Sequence, residues 1–199
     1  MKLQYLQQCE GLIGLKVAGK GMFGRHLAEK YGFTVLVTSD AIRKVCIEEE
    51  GILRPSTTDL QNMGDKRKLE FGAGYWMKML LRISEEQQIQ KLVIDGIRNP
   101  AEVYILSQLL GERFSMKGIV APYERRLEWF LGRKKEGDVM DPDWFRMMDE
   151  RDRGIGQPEH GQQVGRTLEM VPPRLVYNNI GSREDALRWL DWAMGIRVE

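Results

Sequence analysis

Short apolar runs alternate with longer amphipathic stretches along this chain of 199 residues. Each apolar run is too short for a buried helix, and 33–38 is also rich in β-branched side chains. Such runs are typical of parallel strands that are covered on both faces. The predicted strands cover 11–15, 33–38, 91–95, 114–120 and 174–178.

Apolar side chains recur every three or four residues in the stretches between these strands, which is the period of an amphipathic helix. Ser39-Asp40 predicts an N-cap, and Thr58-x-x-Gln61 and Ser182-x-x-Asp185 predict two more helix starts. Gly72 and Gly74 predict a break between two helices. The predicted helices cover 20–31, 41–50, 58–71, 75–90, 122–135 and 141–153, with two more that begin near 100 and 182.

This alternation predicts an α/β protein with about five parallel strands and helices on both faces of the sheet. We expect the 199 residues to form a single domain, because the length suits one well-buried core. The polar stretch 134–166 is the one candidate subdomain.

Composition and charge narrow the class of protein. Hydrophobic residues make up 42%, and 30 basic residues face 29 acidic ones, so no bulk charge attracts nucleic acid or a membrane. Cys9 and Cys46 have neither metal-ligand spacing nor a disulfide pattern. The polar N-terminus does not resemble a signal peptide, and no apolar run approaches the length of a membrane span. We expect a cytoplasmic protein.

The first predicted strand leads into Gly14-x4-Gly19-Lys20, which has the spacing of a phosphate-binding loop. Glycines let backbone N–H groups turn toward a phosphate, the helix N-terminus adds positive potential, and the lysine reaches the terminal phosphates. One part of the motif is missing, because Gly21 and Met22 stand where a Ser or Thr hydroxyl normally binds Mg²⁺.

Polar residues also follow two further predicted strands. Thr38 and Asp40 follow the second strand, and Asp95 and Arg98 follow the third. Ligands of open α/β sheets bind at the carboxyl ends of the strands, where Lys20 also lies. Asp40 has an alternative role as an N-cap, and Asp95 has one as a helix-initiating residue before the proline at 100.

Together these motifs resemble those of P-loop nucleotide kinases, in the nucleoside monophosphate kinase and dephospho-CoA kinase group. The resemblance extends over nearly the whole chain, and it implies a three-layer P-loop fold with a small helical lid at 134–166. The motifs that carry it are Gly14 to Lys20, Thr38-Ser-Asp-Ala-Ile-Arg43, Ile94-Asp-Gly-Ile-Arg98, the Arg-rich stretch 125–153 and the stretch 159–166.

The resemblance also implies roles for individual residues, with ATP and Mg²⁺ as cofactors and a nucleotide-like acceptor between the helices of 39–90 and the lid. Lys20, Asp95 and Arg133 would be catalytic, with Asp95 holding Mg²⁺ through water and Arg125 or Arg126 supporting Arg133. Thr38, Asp40, Arg43 and Arg98 would face the acceptor. The ATP site would comprise Gly14, Ala18, Gly19, Lys20, Gly21, Met22 and Asn178, with Asn179 beside it.

The departures from the family pattern leave the activity open. Gly14 is expected to belong to the strand, which would leave the loop two or three residues short. One hypothesis is an ATP-dependent kinase for a small nucleotide-like acceptor. The alternative is a descendant that binds a nucleotide or a protein partner without turnover, and a plain nucleotide triphosphatase also fits. Trp189 and Trp192 leave a monomer and a homodimer equally open.

Overall fold

A five-stranded parallel sheet forms the centre of the protein in a computed structural model, which describes residues 3–132 and 140–195. The strands are β1 (Gln8–Ile13), β2 (Thr34–Val37), β3 (Lys91–Asp95), β4 (Phe114–Val120) and β5 (Val176–Asn178). Their spatial order is β2-β3-β1-β4-β5, and every neighbouring pair is parallel. The predicted α/β class and strand number are therefore confirmed.

Helices cover both faces of this sheet. Helices α1 and α9 pack on one face, where Phe23, Leu27 and Leu190 join a cluster with Leu12 and Ile119 of the sheet. The larger cluster on the other face includes residues of α2 to α5 and of α8. The helices are α1 (Lys20–Tyr31), α2 (Thr38–Glu48), α3 (Thr57–Phe71), α4 (Tyr75–Glu86), α5 (Pro100–Leu110), α6 (Tyr123–Gly132), α7 (Pro142–Arg153), α8 (Val164–Glu169) and α9 (Arg183–Gly195).

Two of the predicted helix starts are wrong by a few residues. Helix α3 begins with a capping box made by Ser56 and Asp59, rather than by Thr58 and Gln61, because the Ser56 hydroxyl accepts from the Asp59 N–H while the Asp59 carboxylate accepts from the Ser56 N–H. Helix α2 begins directly at Thr38 without a side-chain cap, so the predicted N-cap at Asp40 lies inside its first turn.

The last helix begins as predicted and is tied to the first by a polar cluster. The Ser182 hydroxyl accepts from the Asp185 N–H, and the Asp185 carboxylate accepts from Ser182. Further along α9, the Asp191 carboxylate contacts His26 Nε2 at 2.7 Å and accepts from Lys30 Nζ at 2.6 Å and from the Tyr31 hydroxyl at 2.9 Å. These contacts hold α1 in register with α9.

No helix within residues 3–132 and 140–195 combines the length and apolar character needed to cross a membrane.

Candidate phosphate-binding and acceptor site

The loop between β1 and α1 has its full length. Strand β1 ends at Ile13, so Gly14 lies outside it, and the expectation of a shortened loop is wrong. Glycine is required at position 14 because a side chain there would collide with the carbonyl oxygen of Ile119 on β4. The loop reverses through two left-handed residues, Val17 at φ 63° and Gly19 at φ 104°. A β-branched residue in this conformation costs about 1–3 kcal/mol, and such strain is typical of functional turns.

Asn179 directly follows β5 and supports this loop. Its side-chain Nδ2 donates to the Ala18 carbonyl at 3.0 Å, and its backbone N–H donates to the Val120 carbonyl at 2.7 Å. A Cβ at Gly19 would collide with the same side-chain amide. Asn179 thus stabilises the loop through its side-chain amide. The neighbouring Asn178 is exposed at the end of β5.

Lys20 folds back over the loop that precedes it. Its ammonium donates to the carbonyls of Gly14 at 2.7 Å and Leu15 at 3.1 Å. Burial lowers the pKa of Lys20, and the carboxylates of Asp95 and Asp152 oppose that shift. An anion bound in the loop would also favour the charged ammonium, so the site is electrostatically suited to phosphate.

A cavity of about 550 Å³ joins the loop to helices α2, α3 and α4. Of the predicted site residues, it brings together Gly19, Lys20, Gly21, Met22, Thr38, Arg43, Asp95 and Arg98. Asp40 is not among its lining residues, because it faces outward on the first turn of α2 and lines a separate depression of about 240 Å³ beside Arg43 and Lys44.

Asp95 ends β3 at the edge of this cavity, next to Thr38. Val37 pairs with Asp95 in the sheet, so the residue after β2 lies beside the residue that ends β3. The helix that follows is capped by Asn99, whose side chain accepts from the Ala101 N–H at 2.9 Å, so Asp95 is free of the alternative capping role. The Thr38 hydroxyl is buried and has no hydrogen-bond partner in the described part of the chain.

Helix α7 contributes Asp152, a residue that the sequence did not single out. Its buried carboxylate accepts from the Lys16 N–H of the loop at 2.8 Å and from Arg98 Nη1 at 2.7 Å. Arg98 Nη1 also donates to Gln162 Oε1 at 3.2 Å. Helix α7, which lies within the predicted lid, thus contacts both the phosphate loop and the predicted acceptor arginine through one carboxylate.

Arg126 serves a structural purpose rather than the predicted supporting role at the lid. Its guanidinium is fully buried, pairs with both carboxylate oxygens of Asp149, and donates to the carbonyls of Ala121 at 3.1 Å and Lys16 at 3.2 Å. Four of its five N–H donors are used in this way, and full burial keeps the side chain away from a substrate. Arg125 is exposed on the same helix, and Arg133 lies outside the described residues.

Sequence reasoning also missed the polar face that α3 turns to the cavity. Gln61, Asp65 and Lys68 line it, and both Gln61 and Lys68 are buried. Polar residues at positions i and i+7 are ordinary on the exposed face of a helix, so the sequence carried no signal that these two are buried. No group of three His, Cys, Asp or Glu side chains able to hold a metal occurs in the described ranges.

Solved structures with the same fold include kinases. A putative kinase from Chloroflexus aurantiacus superposes with a TM-score of 0.56 at 14% identity, covering 98% of this chain and 100% of that one. Shikimate kinase from Acinetobacter baumannii superposes with a TM-score of 0.53 at 17% identity, covering 96% and 94%. At such identities the likeness establishes the P-loop kinase fold alone.

Relatives at the sequence level are closer. No family model matches the chain. A UPF0200 protein of Methanoregula boonei is 31% identical over 175 residues, which covers 88% of this chain and 89% of that protein. A UPF0200 protein of Methanopyrus kandleri is 32% identical over 151 residues, covering 73% and 71%. The chain, with its P-loop kinase fold, therefore belongs to the UPF0200 family.

Proposed function

We propose that this protein transfers the γ-phosphoryl group of ATP to a small nucleotide-like acceptor, such as a nucleoside monophosphate or dephospho-CoA. The observation that carries the proposal is the convergence of Lys20, Asp95 and Arg98 on one cavity that extends to helices α2 to α4. A phosphate loop on one side and a second anion-binding group on the other are the parts that a kinase needs.

The reaction requires little covalent chemistry from the protein. An acceptor oxygen forms a bond to the γ-phosphorus while the bond from that phosphorus to the bridging oxygen breaks, and ADP leaves. Lys20 and the loop N–H groups neutralise the phosphates of ATP, and Arg98 with Arg43 orients the acceptor. Catalysis then depends on positioning and on electrostatic stabilisation of the transferred group.

The residues present also fit a Mg²⁺ ion, though not in the usual way. Gly21 and Met22 have no hydroxyl, but Thr38 has a buried hydroxyl without a partner among the described residues, and it lines the same cavity as Asp95. Thr38 and Asp95 would hold the ion, directly or through water. When bound, Mg²⁺ neutralises charge on the phosphates and polarises them toward attack.

Substitution of Lys20 tests the proposal. Lys20→Ala is expected to lower kcat/KM for ATP by at least a hundredfold, because it removes the cation at the terminal phosphates. Lys78→Ala, at an exposed position on α4, is the matched control and is expected to keep full activity. Equal turnover by Lys20→Ala and the unchanged protein would contradict the proposal.

A second candidate is a nucleotide-binding or partner-binding module without turnover, and the absence of a hydroxyl at Gly21 and Met22 favours it. The two candidates differ in metal dependence. Calorimetric titration with ATP, with and without Mg²⁺, shows metal-strengthened binding if the kinase is intact. Binding indifferent to Mg²⁺, with no product in an acceptor screen, would select the second candidate.

A further inference from the structure

Helix α3 presents an unusual surface to the cavity. Gln61, Gly64, Asp65 and Lys68 follow one another at the spacing of a single helix face, and all four line the cavity together with Leu60. Gln61 is 7% exposed and Lys68 is 5% exposed. Burying two long polar side chains costs free energy unless each finds a hydrogen-bond partner.

The Gln61 side-chain oxygen and the Lys68 ammonium form no hydrogen bond within the described residues, although Lys68 has two ion-pair neighbours. Gln61 Oε1 is buried and has no hydrogen-bond partner. Lys68 Nζ lies 3.6 Å from Asp65 Oδ1 and 3.9 Å from Glu102 Oε1, distances longer than a hydrogen bond. A ligand group here would have to offer a donor to Gln61 and an acceptor to Lys68.

The charges around this surface are already balanced. Asp65 pairs with Arg151 Nη2 at 2.9 Å, and Lys68 has Glu102 as its second carboxylate neighbour. A phosphate or carboxylate would therefore meet two neighbouring acidic groups beside Lys68. The ligand group that suits the surface is neutral, whereas the anionic part of the acceptor belongs near Arg43 and Arg98.

Four apolar side chains line the cavity near this surface: Trp76, Leu60, Ile42 and Pro55. Trp76 is almost fully buried, and its Nε1 already donates to the Gly64 carbonyl at 3.0 Å. A sugar carries hydroxyls around its ring, and these four side chains offer no free hydrogen-bonding group to them. A heteroaromatic ring instead has apolar faces and a polar edge, which matches such walls.

Resting on the kinase proposal, we infer that Gln61 and Lys68 recognise the edge of a nucleobase, so that the acceptor is a nucleotide rather than a phosphorylated sugar or a hydroxy acid. The Gln61 carbonyl accepts from a ring or exocyclic N–H, and the Lys68 ammonium donates to a ring nitrogen or carbonyl. Purine and pyrimidine edges each offer both kinds of group.

Equilibrium binding without ATP tests this inference. The intact protein is titrated in a calorimeter with AMP, GMP, UMP and CMP, and with ribose 5-phosphate, which carries the same phosphate and ribose without a base. At least one nucleotide is expected to bind ten or more times as tightly as ribose 5-phosphate. If ribose 5-phosphate binds as tightly as every nucleotide, the inference is wrong.

Two substitutions connect that preference to α3. Gln61→Met and Lys68→Met are each expected to weaken binding of the preferred nucleotide by about five- to thirtyfold. Binding of ribose 5-phosphate is expected to stay unchanged. Gln87→Met and Lys78→Met, at exposed positions, are the matched controls. Equal weakening of both ligands would show that α3 does not read the base, and would overturn the inference.

Thermal unfolding provides a second readout that does not depend on binding. Gln61→Met removes a buried acceptor that has no partner among the described residues. The substitution is therefore expected to keep or raise Tm while it weakens nucleotide binding. A lower Tm together with unchanged binding would mean that Gln61 is a structural residue.

The outcome is separable from that of the kinase proposal. A protein that binds a nucleotide through Gln61 but transfers no phosphate would contradict the kinase proposal alone. Transfer to ribose 5-phosphate at the rate of transfer to nucleotides would contradict the nucleobase inference alone.

Discussion

The Thr38 hydroxyl is a residue-scale feature with a direct test. Thr38→Val replaces the hydroxyl with a methyl group of similar size, and the hydroxyl has no partner to lose within the described chain. We expect the strengthening of ATP binding by Mg²⁺ to fall about tenfold in Thr38→Val, because one ligand of the ion is lost. Titrations with ATP at several Mg²⁺ concentrations measure the effect.

Thr38→Ser is the control for that prediction. It keeps the hydroxyl and should therefore keep the dependence on Mg²⁺. If Thr38→Val responds to Mg²⁺ as the unchanged protein does, the ion is held without this residue.

The charge of Asp152 can also be tested by a single substitution. Its carboxylate lies against the Lys16 N–H and Arg98, where it repels an incoming polyphosphate. Asp152→Asn keeps a carbonyl oxygen that can accept a hydrogen bond but removes the charge. Since about 1 kcal/mol of repulsion corresponds to roughly a fivefold change in Kd, we expect ATP to bind several times more tightly. Weaker ATP binding would show that the carboxylate organises the loop instead.

The positions of several cavity-lining residues could be predicted from the sequence alone. Lys20, Thr38, Asp95 and Arg98 could be found because each follows a strand, and parallel strands bring their carboxyl ends to one edge. Asp152 could not be found in this way, because it lies on helix α7 and reaches the loop from far along the chain. Asn179 follows β5 and was expected beside the ATP site, but no local pattern encodes its contact with Ala18.

At the scale of elements, α1 and α9 are held together by Asp191. Burial raises the pKa of this carboxyl, but hydrogen bonds from Lys30, His26 and Tyr31 outweigh burial and lower its pKa to about 2. A carboxyl whose pKa is lower in the folded protein contributes stability above its unfolded value near 4, and that contribution is lost as the pH falls toward 2.

Asp191→Asn is therefore expected to lower the free energy of unfolding by about 1 kcal/mol at pH 7, since the carboxylate is partly exposed. The difference from the unchanged protein should shrink between pH 4 and pH 2. Urea unfolding across this range measures it, and Asp185→Asn near the start of α9 is a second carboxylate variant for comparison. A difference that does not change with pH would contradict the electrostatic explanation.

Elements were easier to predict than their ends. The strands β3 and β4 match the predicted ranges because short apolar runs leave few alternatives. Helix starts depend instead on which of several neighbouring polar side chains reaches the backbone. Around α3 the chain offers Ser56, Thr57, Thr58, Asp59 and Gln61, and only the folded geometry selects Ser56 with Asp59.

At the scale of the whole molecule, Arg126 joins helices α6 and α7 to the phosphate loop. Arg126→Met would leave Asp149 buried with only Arg153, whose Nε donates to it at 2.9 Å. We expect a loss of about 3 kcal/mol in the free energy of unfolding, because a buried carboxylate loses its main partner. Urea unfolding measures this loss.

Arg125→Met is the matched control on the same helix, and its exposed position predicts a change within about 0.5 kcal/mol. Equal stability of the two variants would mean that the ion pair between Arg126 and Asp149 contributes nothing to the free energy of unfolding.

The fold as a whole followed from the alternation of strands and helices, whereas the shape of the acceptor side did not. The parallel sheet with the strand order β2-β3-β1-β4-β5 agrees with the predicted α/β class. The cavity depends on how α3 packs beside α2 and α4. Gln61 and Lys68 become informative only when the structure shows that both are buried and that Gln61 Oε1 has no hydrogen-bond partner among the described residues, which the sequence does not contain.

The contact between Asn179 and Ala18 has a consequence for how the protein is made. These residues are 161 positions apart, so the phosphate loop is synthesised well before the amide that supports it. At about 5–20 residues per second, the loop waits roughly 8–30 s for that amide. A product truncated between the two residues would have a loop without this hydrogen bond. The loop therefore gains this support only when Asn179 has been added to the nascent chain.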